Sequence, residues 1–461
     1  MADIAPFRGS RYATTRVALD DVVAPPYDVL GDDEVRALRA RSPYNALHVD
    51  LPEGAGQEGG GEEGGGEAST GAGAASAGET GASGDRYARA AATLRRWHDD
   101  GFLVRDEVPA LYLLEQAYRG PDGYERLRRG VVARLRLAPF SEGIVLPHEK
   151  THDGPKADRL ALMRATHAAT SQVFMLYPDD DGAVTAALAA AADTAFGDPA
   201  AAQTARDRDG NAHRIAPVRG APAARVCELL RDRRLFIADG HHRYETAVHY
   251  RDERRAAGDA GADWLMVYLC SMRDPGLTVF PTHRLLKGVE IPPMDAVLAR
   301  LREHFAVFAE RATDAAGFES LAAHLRSFAD PGKVFGLCFP RENACCTIEL
   351  RDLSSVSHLL HEGFSTASAH LAVTVLHYLV FRDVLGLDPT ATEGKIDYVT
   401  SPGEAFRRLQ SGAYALGALI NATQVDEVRV VAEAGETMPQ KSTYFYPKLL
   451  TGLVYDTFGP A

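Results

Sequence analysis

Asp239-Gly240-His241-His242-Arg243 gathers a carboxylate, two imidazoles and a guanidinium around one glycine. Arg243 can grip two phosphate oxygens at once. His241 or His242 can donate hydrogen bonds or shuttle a proton. Asp239 can hold Mg²⁺ together with substrate phosphates, and Gly240 permits a tight turn or a close backbone approach. Residues 235–238 read as a buried strand and residues 244–256 as a helix, so the run sits where free backbone N–H groups point at whatever precedes a helix. These features describe a phosphoanion site. The plainer reading is a solvated turn in which Asp239 caps the helix, for which two histidines and an arginine are an odd choice.

A second cluster is Leu146-Pro147-His148-Glu149-Lys150-Thr151-His152. It matches H-E-x-x-H formally, but that zinc chemistry needs both histidines on one helix face. Pro147 and Gly154-Pro155 leave room for barely one turn. The better fit is a loop presenting Glu149 as a general base, with His148 and Thr151 as hydrogen-bonding groups and Lys156 and Arg159 adding positive charge. An exposed charged loop is the other reading. In a third cluster, residues 435–448, Lys441, Ser442 and Thr443 stand beside the aromatics Tyr444, Phe445 and Tyr446, with Lys448 close behind. They could complete an anion pocket or form an ordinary edge loop. Ala24-Pro25-Pro26-Tyr27-Asp28 and Pro281-Thr282-His283-Arg284 are turns that could wall a cleft. No P-loop, dinucleotide fingerprint, kinase signature or G-x-S-x-G elbow is present.

The elements that must position these residues read as mixed α/β. Strands are expected at 110–117, 129–138, 173–177, 264–269, 334–339, 345–350 and 427–432. Helices are expected at 86–98, 184–195, 222–232, 293–305, 314–328, 369–385 and 402–411. With 461 residues the chain is too long for one core, and a boundary near 290 divides it into 1–290 and 291–461. Residues 53–84 hold no aromatic or large aliphatic side chain and are expected to be a disordered surface insertion. The net charge of −13, from 50 basic and 63 acidic residues, argues against a general nucleic-acid surface. No apolar run is long enough for a membrane span and the N-terminus has no signal-peptide pattern. The odd count of five cysteines fits neither a disulfide framework nor a zinc site, so a cytoplasmic protein with reduced thiols is expected.

The runs VVAPPYDVL, SPYNALHVDLP, LPHEKTHDGPKADRLALMRAT, FIADGHHRYETA, PTHRLL and MPQKSTYFYPKL resemble a widespread bacterial family of uncharacterised proteins, in that family's order. More distantly, P-H-E followed by D-G-H-H-R resembles the free L-serine kinases of the ParB/sulfiredoxin-like superfamily. That resemblance implies a ParB/sulfiredoxin-like catalytic core in 1–290, with an additional α/β domain in 291–461 contributing the MPQKSTYFYPK loop. It implies phosphoryl transfer from ATP, ADP or pyrophosphate to a small-molecule hydroxyl, L-serine first. Glu149 would be the base, and Asp239, His241 and Arg243 would hold donor phosphates and Mg²⁺. The competing expectations are a ParB-like nucleic-acid-binding or nuclease module, and a phosphohydrolase or nucleotide-binding regulator.

Overall fold

The computed structural model describes residues 1–54, 79–151, 153–259, 261–310, 314–388, 392 and 394–458. The chain divides into two compact units. Unit one comprises Met1–Leu146, Thr151–Leu277 and Pro447–Ala461, and unit two comprises Pro147–Lys150 and Thr278–Tyr446. The division falls at Leu277 and Thr278 rather than near 290, and the last fifteen residues belong to unit one. Both units mix helices with sheets, so the expected α/β class holds.

Unit one is built on a nine-stranded mixed sheet. At its centre Trp264–Ser271 is buried at every position after the first, the pattern of a strand covered on both faces. It pairs antiparallel with Glu125–Arg136 and parallel with Val173–Tyr177. Leu235–Asp239 lies antiparallel on the other side of Val173–Tyr177, and Val145–Leu146 runs parallel beside it. The register slips between Ile237 and Asp239. A bulge at that point bends the strand and re-aims its last side chain. The helices Asp153–Thr166 and His241–Ala256 pack against one another.

Unit two is built on a six-stranded antiparallel sheet. Its order is Phe305–Glu310, Ala344–Leu350, Val334–Phe339, Tyr414–Ile420, His283–Lys287, Ile396–Val399. Leu321, Leu325, Leu409 and Phe318 fill one face of it from the helices Ala315–Arg326 and Pro402–Leu409.

Several expectations are corrected. Residues 427–432 are not a strand but lie in the helix Val425–Glu433. Val428, Val431 and Ala432 are its buried stripe, a three-to-four spacing that the valine content masked. The helix expected at 369–385 is Ala372–Thr374 continued by a π-helix, Val375–Val384. Of the segment 53–84, residues 55–78 lie outside the described residues, while 79–84 form the first turns of the helix Glu79–Asp99. The thiols are not all reduced: Cys338 and Cys345 face each other across two antiparallel strands and form a disulfide. Cys227 and Cys270 lie outside that pair. Among the described residues no helix is long and apolar enough to cross a membrane.

Candidate functional site

In unit one the Asp239–Arg243 run is less a loop than a strand end, one glycine and a first helical turn. Asp239 closes its strand, and His241 opens the helix His241–Ala256. Gly240 between them has φ +96°, a backbone region that costs an L-residue about 1–2 kcal/mol. A Cβ there would stand 2.9 Å from the Arg243 Nε. Sequence placed the helix start three residues late because His-His-Arg is a weak opening signal, whereas the helix needs only the glycine turn before it.

Asp239 is held between two cations. Its Oδ2 accepts from Arg243 Nη2 at 2.7 Å and its Oδ1 from Lys448 Nζ at 2.6 Å. Arg243 also donates to the Gln172 carbonyl at 2.6 Å and the Ser171 hydroxyl at 3.3 Å. Burial works against the Arg243 charge, but Asp239, followed by Asp28, Tyr27 and Asp50, raises its pKa above the ordinary arginine value. Tyr27 is pushed up to about 12 by burial, with the Arg159 charge pulling the other way. The Ala24-Pro25-Pro26-Tyr27-Asp28 turn therefore belongs to the electrostatic surroundings of Arg243. So does Asp50, which is fully buried and accepts from the Thr170 hydroxyl at 2.5 Å. His241 is buried and His242 half-buried in the first turn.

Thr151 does not join this group. Its hydroxyl donates to Glu245 Oε2 at 2.7 Å, which also takes Lys156 Nζ at 3.2 Å. His152 lies outside the described residues, so the H-E-x-x-H reading does too.

In unit two, the second and third sequence clusters meet. Glu149 pairs in parallel with Met438, and the Met438 N–H donates to the His148 carbonyl at 2.8 Å. The Lys441 N–H donates to Glu149 Oε1 at 3.2 Å, and His148 Nε2 lies 3.1 Å from the Thr443 hydroxyl. Lys441 has φ +55°, unusual for a long side chain. The Ser442 hydroxyl donates to the Pro439 carbonyl, and its own carbonyl accepts from Thr423 at 2.8 Å. His148, Glu149, Lys441 and Thr443 thus form one constellation, with Ser442 bracing its loop.

The Mg²⁺ expected at Asp239 does not fit the donor set. Both Asp239 oxygens are taken by cations. Among the described residues no group of three or more His, Cys, Asp or Glu side chains is placed to hold a metal ion. Of the two lysines in the 435–448 run, Lys448 is the one that meets Asp239. Both lie in the same run, and nothing in their spacing says which one reaches Asp239.

A family profile described as "Protein of unknown function (DUF1015)" matches residues 4–370. No curated protein matches the chain. Among solved structures, a free serine kinase in complex with AMP is similar at TM-score 0.30 and 14% identity, over 66% of this chain and 83% of that chain. A conserved hypothetical protein from Pyrococcus furiosus is similar at TM-score 0.30 and 13% identity, over 66% of this chain and 89% of that one. C-terminally truncated SbnI from Staphylococcus aureus is similar at TM-score 0.29 and 10% identity, over 68% and 84%. At TM-scores this low the likeness does not bear on activity.

Proposed function

The chain belongs to the family matched over residues 4–370, and we propose that it is a small-molecule phosphotransferase that phosphorylates a free hydroxyl, with L-serine the first acceptor to try. The observation that carries this reading is the Asp239 carboxylate held between Arg243 and Lys448 at a helix N-terminus. Two cations and oriented N–H groups suit the charge of a phosphoryl donor, ATP, ADP or pyrophosphate. The P-H-E and D-G-H-H-R resemblance to ParB/sulfiredoxin-like serine kinases points the same way.

In this reading Arg243 and Lys448 take the donor's phosphate oxygens, and Asp239 keeps both cations ordered until the donor arrives. His241 and His242 hydrogen-bond to phosphate, and Glu149 orients the acceptor hydroxyl and takes its proton. Phosphoryl transfer needs positioning and charge neutralisation more than covalent help from the protein, so these groups suffice in kind. No step is assigned to Mg²⁺.

The test is a screen of amino acids and polyols with ATP, ADP and pyrophosphate, with the phosphorylated product detected by mass spectrometry. A phosphorylated acceptor supports the reading. Phosphate release with no phosphorylated acceptor makes the protein a hydrolase, and no turnover with any donor removes the reading.

A further inference from the structure

Arg284 is 0% exposed and, among the described residues, has no carboxylate partner. It lies in the strand His283–Lys287 of unit two. Its guanidinium donates to the Thr282 carbonyl and, at 3.2 Å, to the Lys441 carbonyl, and stands 5.5 Å from the centre of the Tyr398 ring. Among the described residues its Nε has no hydrogen-bond partner. Burying a charge without a counter-ion is costly, and a protein that keeps such a group exposes itself to that cost for a reason.

The same neighbourhood holds other unanswered donors. The hydroxyl of Thr282, whose carbonyl takes the Arg284 guanidinium, is buried without a partner among the described residues. His377 Nε2 is also buried and unpartnered, and the Thr374 hydroxyl, one helical turn earlier, is likewise. Burial, and after it the charge of Arg284, holds His377 neutral down to about pH 3, so it offers a neutral N–H. It lies on the π-helix Val375–Val384, a rare geometry found often at functional sites. His377, Tyr398 and Thr443 are only half-buried, and Lys441 is exposed.

We propose that Arg284, with the Thr282 hydroxyl and the His377 imidazole, is the receptor for the carboxylate of a small substrate that carries a single carboxylate. The charge count selects the ligand class. One guanidinium with neutral donors balances a single negative charge, where a phosphate dianion would leave one charge buried and unmatched. Two of the arginine's nitrogens are already committed to backbone carbonyls, so it offers Nε to the anion and its remaining donors hold it in place.

The position of Glu149 names the acceptor. Lys441 donates its N–H to Glu149 and accepts from Arg284 with its carbonyl. The charges of both Arg284 and Glu149 act on Tyr398. A single residue's backbone therefore links the base to the carboxylate receptor, a spacing suited to a small hydroxy acid. This last step rests on the phosphotransferase reading, whereas the receptor itself does not.

The test is carboxylate binding by the full chain, followed by thermal shift and calorimetry with L-serine, L-serinamide, L-lactate and glycerate. At least one hydroxy acid should bind, and L-serinamide should bind at least tenfold more weakly than L-serine if serine is that acid. Arg284→Met should abolish carboxylate binding, while ADP or pyrophosphate binding stays within twofold of wild type. The ligand-free Arg284→Met protein should melt no lower than wild type, because the substitution removes an uncompensated buried charge. Carboxylate binding that survives Arg284→Met overturns the proposal. So does a wild-type protein that binds none of the four, or a ligand-free variant that melts several degrees lower and so marks Arg284 as structural. Carboxylate binding lost in the variant, in a protein that transfers no phosphate, upholds the receptor and fails the phosphotransferase reading alone.

Discussion

At the scale of single residues, Asp239 gives the sharpest separation of roles. With one carboxylate between Arg243 and Lys448, Asp239→Asn leaves two largely buried cations facing each other. Breaking a buried pair by removing one partner costs about 3–5 kcal/mol, so the ligand-free variant should melt many degrees below wild type. Pyrophosphate restores the missing negative charge, and its stabilising thermal shift should be larger for the variant than for wild type. Equal shifts would mean that the two cations do not bind the donor. Arg243→Ala and Lys448→Met each remove one cation from the donor site, where a charged hydrogen bond to phosphate is worth about 1.5–3 kcal/mol. Each should weaken donor affinity by about 10–100-fold and lower turnover with it. Glu149→Gln keeps an acceptor for the Lys441 N–H but removes the base. Turnover on the acceptor found by screening should fall by about 10²-fold or more with donor affinity unchanged. A fully active Glu149→Gln protein removes Glu149 from the chemistry.

At the scale of elements, the strand end and helix start around Gly240 aim the site. Gly240→Ala puts an alanine at φ +96° against the Arg243 side chain. It should cost about 1–2 kcal/mol of stability and loosen donor binding, because Arg243 must move. A variant as stable as wild type would mean the turn is not strained. The sheet of unit two makes a second prediction: thiol titration of the denatured, unreduced chain should count two fewer thiols than the same chain after reduction. What sequence could read follows from the same elements. The apolar runs 173–177, 235–238 and 264–269 were legible because fully buried strands are continuous in apolar residues. The carboxylate, guanidinium and imidazoles of the Asp239 run were legible because they are local. The pairing of Lys448 with Asp239 was not, because the two lie 209 residues apart in sequence. The Cys338–Cys345 pairing was not, because it depends on hairpin register. Nor was the isolation of Arg284, since a missing counter-ion is a property of packing and leaves no pattern in the chain.

At the scale of the whole molecule, the two units should respond differently to acid. His283 is buried in the sheet of unit two, and its Nδ1 accepts from the Ile420 N–H at 3.2 Å. Burial, then the charges of Arg284 and Arg326, lowers its pKa from 6.5 to about 3, and His377 in the same unit is lowered to about 3. A histidine with a depressed folded pKa binds its proton more readily when unfolded. Stability is then full above the unfolded value of 6.5 and falls as pH drops from there toward 3. In unit one, burial also lowers the pKa of His98 and His167, but Asp158, Asp207 and Asp263 have carboxylate pKa values below 3.8. Their contribution is present above pH 3.8 and is lost only as pH falls through those lower values. The large histidine shifts, to about 3, belong to His283 and His377, so acid should loosen unit two first. Both tryptophans, Trp97 and Trp264, belong to unit one, so tryptophan fluorescence reports that unit alone, whereas far-ultraviolet circular dichroism reports both. On titration downward from pH 7, the dichroism change should begin at higher pH than the fluorescence change. His283→Asn keeps an acceptor for the Ile420 N–H without a titrating group, and it should draw the two curves together. Coincident curves in the wild-type protein would show that the units unfold as one, and the histidines would then set the acid limit of the whole chain rather than of half of it.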